Sequence, residues 1–272
     1  AIDSNITEIK NAEIEIKHKN KEITDSINYA KRIQEAILPG EEYLNKCFTD
    51  FFVLFKPKDI VSGDFYWTYK TPGNKMIWAA IDCTGHGVPG AFMSMVGNSL
   101  LNEIVVENKI ENSDEILNQL RVSIIKALRQ TGEVGTQKDG MDISLCVLDK
   151  NTSRLQFSGA NNPLWLLINN ECIIMKPDKM PIGYYSENLK PFTKQEIQLI
   201  KKDTIYTFTD GYEDQFGGPN KKKFMSKQFR ELLISIQYKS MPEQKLVIEK
   251  TIIDWMLGIE QIDDICVMGV RI

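Results

Sequence analysis

Apolar residues recur every seven positions at the start of the chain: Ile2, Ile9, Ile16, Ile23, Ala30 and Ile37, with Ile6 and Ile27 adding a second position four residues on. That second seam also carries Glu13, Asn20 and Gln34, so polar groups interrupt it. No Gly or Pro occurs before Pro39-Gly40, and Lys, Glu and Asn fill the other positions as on a solvated helix. The pattern predicts one helix over residues 2–37, about 54 Å long at 1.5 Å per residue. A heptad repeat favours a coiled coil, with an amphipathic helix lying on its own domain as the alternative. Both hold if residues 28–38 rest on the following domain while the earlier turns pair with a second copy. Beyond Gly40 the period changes to that of strands, predicted at 50–56, 61–69, 76–82, 142–148, 154–160, 164–168, 171–176, 195–200, 204–209 and 264–271. Helical stretches interrupt them in pairs, at 88–107 and 113–131 (with Ser113 as N-cap) and at 226–237 and 243–257. Strands joined by short turns, with helices inserted two at a time, predict an α+β fold of antiparallel sheets covered by helices. A doubly wound parallel fold would need regular alternation, which is absent. The segment Gln215–Lys223, QFGGPNKKK, is expected to be a mobile loop.

Composition narrows the function classes. A chain of 272 residues that is 42% hydrophobic and 26% charged has material for a sizeable core. A net charge of -4 argues against nucleic acid as the main partner. Cys47, Cys83, Cys146, Cys172 and Cys266 are scattered and show no C-x-x-C spacing, so neither a disulfide framework nor a zinc knuckle is indicated. No apolar run approaches the ~18–20 residues of a membrane span, and no signal peptide is visible. A cytoplasmic location is therefore expected. Because Ala1 already lies inside the heptad pattern, an upstream sensor or membrane segment is expected to precede the sequence.

Four distant segments place aspartates where apolar strands should end: VSGDFYW with Asp64, IDCTGHGVPGA with Asp82, FTDGYED with Asp210, and QIDDICVMGV with Asp263 and Asp264. Strand ends meeting at one sheet edge would gather these carboxylates, and such crowding requires a compensating cation. Oxygen-only ligation suits Mg²⁺ or Mn²⁺ rather than zinc. The pattern reads as a two-metal hydrolase of phosphate esters, in which the ions activate a water for in-line attack on phosphorus. Taken singly, each Asp beside a Gly is an ordinary turn residue; the joint pattern carries the reading. His86, between two glycines, is open to a role as general acid or as a structural hydrogen-bonding group. Asn161 and Asn162 either cap a turn before Pro163 or line the cleft. His18 and Lys221–Lys223 are expected to be solvated, and Phe92, Met93 and Met95 to be core.

These motifs, in this order, carry a resemblance. SGD, D-x-x-GHG, GMD, GANNPLW, MPIG, FTDG and DDI resemble the SpoIIE-type branch of the metal-dependent protein phosphatases, the bacterial relatives of protein phosphatase 2C. The resemblance runs from about Leu38 to Ile272, which divides the chain into a regulatory helix, 1–38, and a phosphatase domain, 39–272. It implies a sandwich of two antiparallel sheets flanked by helix pairs. It also implies roles for individual residues. Asp82 is similar to a carboxylate bridging two metal ions, and Cys83, at a position that often holds glycine, would offer a backbone carbonyl. Asp210 and Asp263 resemble the ligands of one ion, and Asp64 a ligand of the second. Asp264 would support them or bind through water, and Asp142 would hold a third, weaker ion or an ordered water. The arginine with which eukaryotic relatives grip phosphate is absent from the first motif. Lys56 and Lys58 are the candidate substitutes, as point charges rather than forks. The implied activity is hydrolysis of phosphoserine or phosphothreonine in a regulatory protein such as an anti-sigma-factor antagonist; the heptad repeat, independently, predicts a parallel homodimer through residues 2–37.

Two other classes compete. A metal-dependent nuclease or small-molecule phosphohydrolase would also cluster carboxylates, but the chain lacks an interleaved aromatic and basic stripe. A catalytically silent partner-switching module would not need aspartate at every principal ligand position. No cysteine sits in a C-x₅-R loop, so a thiol nucleophile is not expected.

Overall fold

The computed structural model describes residues 2–131, 138–185 and 190–272, with side chains from Ile9 onward. The first helix, α1, spans Ile2–Ile37 as the heptads predict. Ile9, Ile16 and Ile23 are 53, 59 and 58% exposed, so between residues 9 and 23 the apolar seam is uncovered. From Ile27 onward the seam residues are half-buried or buried, and this last third of α1 packs against the later helix at Gly87–Leu101.

A short helix not foreseen in the sequence follows, α2 at Glu41–Cys47. Glu41 and Glu42 in its first turn and Lys46 in its last complement the helix dipole, and Leu44 and Cys47 bury its inner face. Seven residues flanked by Pro39-Gly40 and a strand give too short a periodicity to stand out.

Twelve strands among the described residues build two five-stranded antiparallel sheets and one small hairpin. They are β1 Asp50–Lys56, β2 Phe65–Lys70, β3 Lys75–Cys83, β4 Met141–Asp149, β5 Arg154–Ala160, β6 Leu164–Ile168, β7 Glu171–Met175, β8 Gln195–Gln198, β9 Thr204–Phe208, β10 Phe216–Gly217, β11 Lys222–Lys223 and β12 Ile265–Arg271. One sheet runs β1-β12-β9-β6-β7 and the other β2-β3-β4-β5-β8. The first helix pair is α3 Gly87–Leu101, continuing as a π-helix over Asn102–Glu107, and α4 Ser113–Ala127. A single turn, α5 Gly211–Asp214, precedes the second pair, α6 Met225–Ile236 and α7 Met241–Met256.

Three apolar layers explain the near-continuous hydrophobic strands. Alternate residues of both sheets, among them Trp78, Cys146, Phe157, Leu166, Ile205 and Met268, interdigitate between them. The opposite faces also find cover. Ile77, Ala79, Ile81 and Leu145 pack under α3 and α4, while Trp165, Tyr206, Phe208 and Val267 pack under α6 and α7. Strands buried on both faces lose the simple in–out alternation and read as solid apolar runs.

Several boundaries differ from expectation for definable reasons. Residues 61–64 are not strand, because side chains from elsewhere take their amides; β2 starts at Phe65. Asn112, not Ser113, occupies the N-cap position of α4, without a side-chain capping bond, and Ser113 turns its hydroxyl into the interior as the acceptor of a 2.8 Å bond from Ser158 Oγ. The capping box of Ser240 and Glu243 starts α7 two residues early. Gln215–Lys223 is the β10–β11 hairpin, anchored where the Gln215 carboxamide donates to the Glu260 carbonyl and accepts from the Ile262 amide. Lys223 pairs with Asp214 at 2.7 Å rather than standing free in solvent. Phe92 is exposed on α3 whereas Met93 is core.

Candidate active site

Sheet register alone places the aspartates together. On one sheet Phe65 pairs with Ile81, and Asp82 with Asp142, so the start of β2, the end of β3 and the start of β4 share an edge. On the other, Lys56 pairs with Ile265 and Val267 with Phe208, so Asp263 and Asp264, just before β12, lie beside Asp210, just after β9. The two edges face the same end of the sandwich. There a cleft of about 390 Å³ opens, lined by Asp82, Cys83, Asp142, Asp210 and Asp263 together with His86, Lys138 and Asn161.

Asp64 and Asp264 form the buried floor behind it. Asp264 accepts from the Lys58 and Gly63 amides, both at 2.7 Å, which occupies its two carboxylate oxygens and fixes the loop before β2. Asp64 is 3% exposed, and its Oδ2 has no hydrogen-bond partner among the described residues. An unpartnered buried carboxylate oxygen is costly and marks a place where a cation belongs. The surrounding loops approach too closely for side chains. A Cβ on Gly63 would stand 2.3 Å from the Gly85 carbonyl, and one on Gly211 would stand 2.0 Å from that of Asp264.

Crowding shows in the acidities. Burial, then the charges of Asp210, Asp263 and Asp142, pushes the Asp82 carboxyl up to about 8. Burial and then Asp82 hold Asp64 well above the usual carboxylate range. Asp210 is raised by burial and by Asp263. Asp142 is raised by burial, opposed by the 2.8 Å bond it accepts from Asn161 Nδ2. Among the described residues no three acidic, His or Cys side chains form a ready single-ion cage. Repelling carboxylates spread apart, and a two-ion centre divides its ligands and completes them with water and main-chain carbonyls.

Cys83 is buried, and burial followed by the charge of Asp64 drives its thiol well above its ordinary acidity, so a thiolate nucleophile is disfavoured. At the rim, His86 joins Asp59 through Nδ1 at 2.7 Å and the Lys58 ammonium through Nε2 at 3.0 Å. The imidazole is therefore held from both sides, its Nε2 accepting from the ammonium. Lys56 and Lys58 do not line the cleft. The Lys56 carbonyl accepts from Gln261 at 2.7 Å, and Lys58 reaches the rim only through His86.

The comparisons with known proteins agree with this geometry. The model for Stage II sporulation protein E (SpoIIE) matches residues 72–272, well over half of the chain. The chain belongs to the SpoIIE family. It is accordingly a phosphoprotein phosphatase of the PP2C type. The SiaA-PP2C domain of Pseudomonas aeruginosa is 29% identical, with 93% of this chain and 98% of that chain covered and a TM-score of 0.84. The PP2C phosphatase domain with a regulatory fragment of SpoIIE from Bacillus subtilis gives 20% identity, a TM-score of 0.66 and coverage of 82% and 63%. RsbX, solved in complex with magnesium, gives 14% identity, a TM-score of 0.54 and coverage of 82% and 94%. At such identities the last two show the shared fold. No curated protein matches the sequence.

In this SpoIIE-family phosphatase three further groups stand near the site; for Asn161 the sequence leaves a turn cap and a cleft-lining role open, and it lines the cleft, whereas Lys138 and the contacts of Gln34 are not foreseen. Asn161, in a left-handed turn with φ of 55°, orients Asp142. Lys138 lines the cleft from just before β4. Gln34 of α1 is buried, donating to the Ser62 carbonyl at 2.6 Å and to Ser94 Oγ at 2.9 Å, and accepting from the Ser62 amide at 3.0 Å. Its one sequence signal is a polar residue on the heptad seam, which it shares with Glu13 and Asn20.

Proposed function

We propose that the cleft hydrolyses phosphoserine or phosphothreonine in a regulatory protein with two Mn²⁺ or Mg²⁺ ions, and that α1 conveys regulation to it. The observation that carries this reading is the convergence of six aspartates, Asp64, Asp82, Asp142, Asp210, Asp263 and Asp264, on one end of the sandwich, with a buried Asp64 oxygen that has no partner among the described residues. The donor set is all oxygen, as hard divalent ions prefer. Asp82 would bridge the ions, Asp210 and Asp263 would hold one, and Asp64 and the Cys83 carbonyl would serve the other. Asp142 is the candidate for a third ion or an ordered water. When bound, the ions would supply an acidified water and neutralise charge on the phosphoryl oxygens.

The remaining groups position and exclude. Asp264, with both oxygens committed to amides, holds the loop that presents Asp64. Thr84 and Gly140 exchange hydrogen bonds at 3.0 Å, tying the Asp82 loop to the start of β4. The His86 imidazole, held between Asp59 and Lys58, is fixed at the mouth. The open cleft admits a phosphorylated side chain carried on a protein surface.

Residues 1–38 read as a regulatory helix and 39–272 as the catalytic domain. The uncovered Ile9–Ile23 seam would pair two copies in parallel, and Gln34 would join that helix to the Asp64 loop. Among the described residues no helix is long and apolar enough to cross a membrane, and we place the domain in the cytoplasm. The test is phosphate release with Mn²⁺ from a phosphoserine protein or peptide compared with a nucleotide. Selective release from the phosphopeptide supports the reading, and preference for the nucleotide overturns it.

A further inference from the structure

We propose that Lys138 is the residue that binds the substrate's phosphoryl group, supplying the cation that a carboxylate-lined cleft otherwise lacks. The inference rests on the cleft being the active site. Among the described lining residues, Asp82, Asp142, Asp210 and Asp263 are acidic, and Lys138 alone carries an ammonium. A phosphate monoester dianion entering this mouth meets like charge on most sides. Ions held at the floor would meet the inner phosphoryl oxygens; the outer oxygens need a donor from the wall.

The lysines nearer the Asp64 motif are poorly placed for this. Lys56 does not line the cleft, and the Lys58 ammonium is engaged by His86 at 3.0 Å. Lys138 combines an exposed side chain with an anchored backbone. Immediately after it, the Asp139 carbonyl accepts from Gln130, the Gly140 amide donates to Thr84 Oγ1 at 3.0 Å, and the Met141 amide donates to the Ile182 carbonyl at 3.1 Å. The arm therefore swings from a fixed point at the cleft wall. A lysine there tolerates phosphoserine and phosphothreonine carried at different approach angles, because a point charge imposes no planar fork on the ester.

The alternative is that Lys138 only offsets the acidic cluster. The two roles separate experimentally in Lys138→Met and Lys138→Arg, with inorganic phosphate as probe by calorimetry at saturating Mn²⁺, and with phosphopeptide turnover. Lys138→Met should raise KM and the Kd for inorganic phosphate together by roughly ten- to a hundredfold, the range of one charge-assisted hydrogen bond. The Mn²⁺ midpoint should stay level or fall, since a positive charge leaves the neighbourhood of the ligands. Lys138→Arg should recover most of the phosphate affinity. Unchanged phosphate affinity in Lys138→Met, or an Arg variant as weak as the Met variant, overturns the assignment while leaving the cleft's activity intact. A wild-type protein without Mn²⁺-dependent turnover overturns the active-site reading itself.

Discussion

Gln34→Leu removes one carboxamide that makes three hydrogen bonds, and their fate sets the size of the effect. Leucine keeps most of the volume on the face of α1 that rests against α3. The Ser62 amide, which donates to Gln34 Oε1 at 3.0 Å, would lose its partner in a buried setting. The Ser62 carbonyl would keep only the long 3.4 Å contact from Ser94 Oγ, since that hydroxyl also donates to the Ala91 carbonyl at 2.9 Å. A buried group left fully unsatisfied costs about 1–3 kcal/mol; with the amide losing its partner outright and the carbonyl keeping its long contact, the two together cost roughly 2–4 kcal/mol. The loop before β2 can relieve that cost by opening to water, which would favour opening roughly thirty- to several-hundredfold. Asp64 is two residues beyond Ser62, and its unpartnered oxygen is the one that would receive a cation in the proposed reading. The expected result is a Mn²⁺ midpoint raised by at least about tenfold, a melting temperature lowered by several degrees, and kcat at saturating Mn²⁺ close to wild type. Turnover as a function of Mn²⁺, with a thermal melt on the same samples, reads both quantities. A lowered melting temperature with an unmoved Mn²⁺ midpoint would refute the link between α1 and the metal site. No change in either would refute the hydrogen-bond network itself.

Other outcomes follow from the acidic cluster and the exposed seam. Asp210→Asn should keep the fold yet lower Mn²⁺-dependent turnover by roughly two orders of magnitude or more, with Asp142→Asn losing only about tenfold; equal losses would make Asp142 a principal ligand. Because Asp64 and Asp82 hold protons more tightly folded than unfolded, the folded chain binds more protons between the ordinary carboxylate range and about pH 8. Their contribution to stability is therefore present at low pH and is lost as pH rises through that window. Metal-free protein should melt lower at pH 8 than at pH 5.5, and Mn²⁺ should raise the melting temperature more at pH 8; an opposite slope would contradict the clustered-carboxylate picture. Ile9→Asp/Ile16→Asp should convert a dimer to a monomer by light scattering, and a wild-type chain already monomeric at high micromolar concentration would remove the coiled-coil proposal.

What the sequence revealed, and what it hid, divides along the range of the interactions. The heptads of α1 and the strand runs at 50–56 or 204–208 are local periodicities, and the folded chain retains them. Asp82 and Asp210 stood out only jointly: each alone is an ordinary turn residue, but the same placement at the end of an apolar run recurs in four distant segments. The pairing of Asp82 with Asp142 needed the β3–β4 register, which sequence spacing does not contain. The false strand at 61–64 has the same origin. Its apolar-polar alternation is real, but Asp264 takes the Gly63 amide from 201 residues away and Gln34 takes that of Ser62 from 28. Gln34 itself looks like a flaw in a coiled-coil seam until the surface it touches is known. Lys138, isolated among polar residues, has no periodic signature at all. Its position depends on the loop contacts that fix the start of β4.

The central claim, that these aspartates form a metal-dependent phosphatase site, is tested most directly by stripping the protein with chelator and titrating Mn²⁺ back while following phosphate release from a phosphoserine peptide. The predicted result is no turnover in chelator, recovery with Mn²⁺ or Mg²⁺, poor recovery with Zn²⁺, and calorimetric binding of two ions that drops in Asp210→Asn. Full turnover in excess chelator, or Mn²⁺ binding indifferent to Asp210, would contradict it.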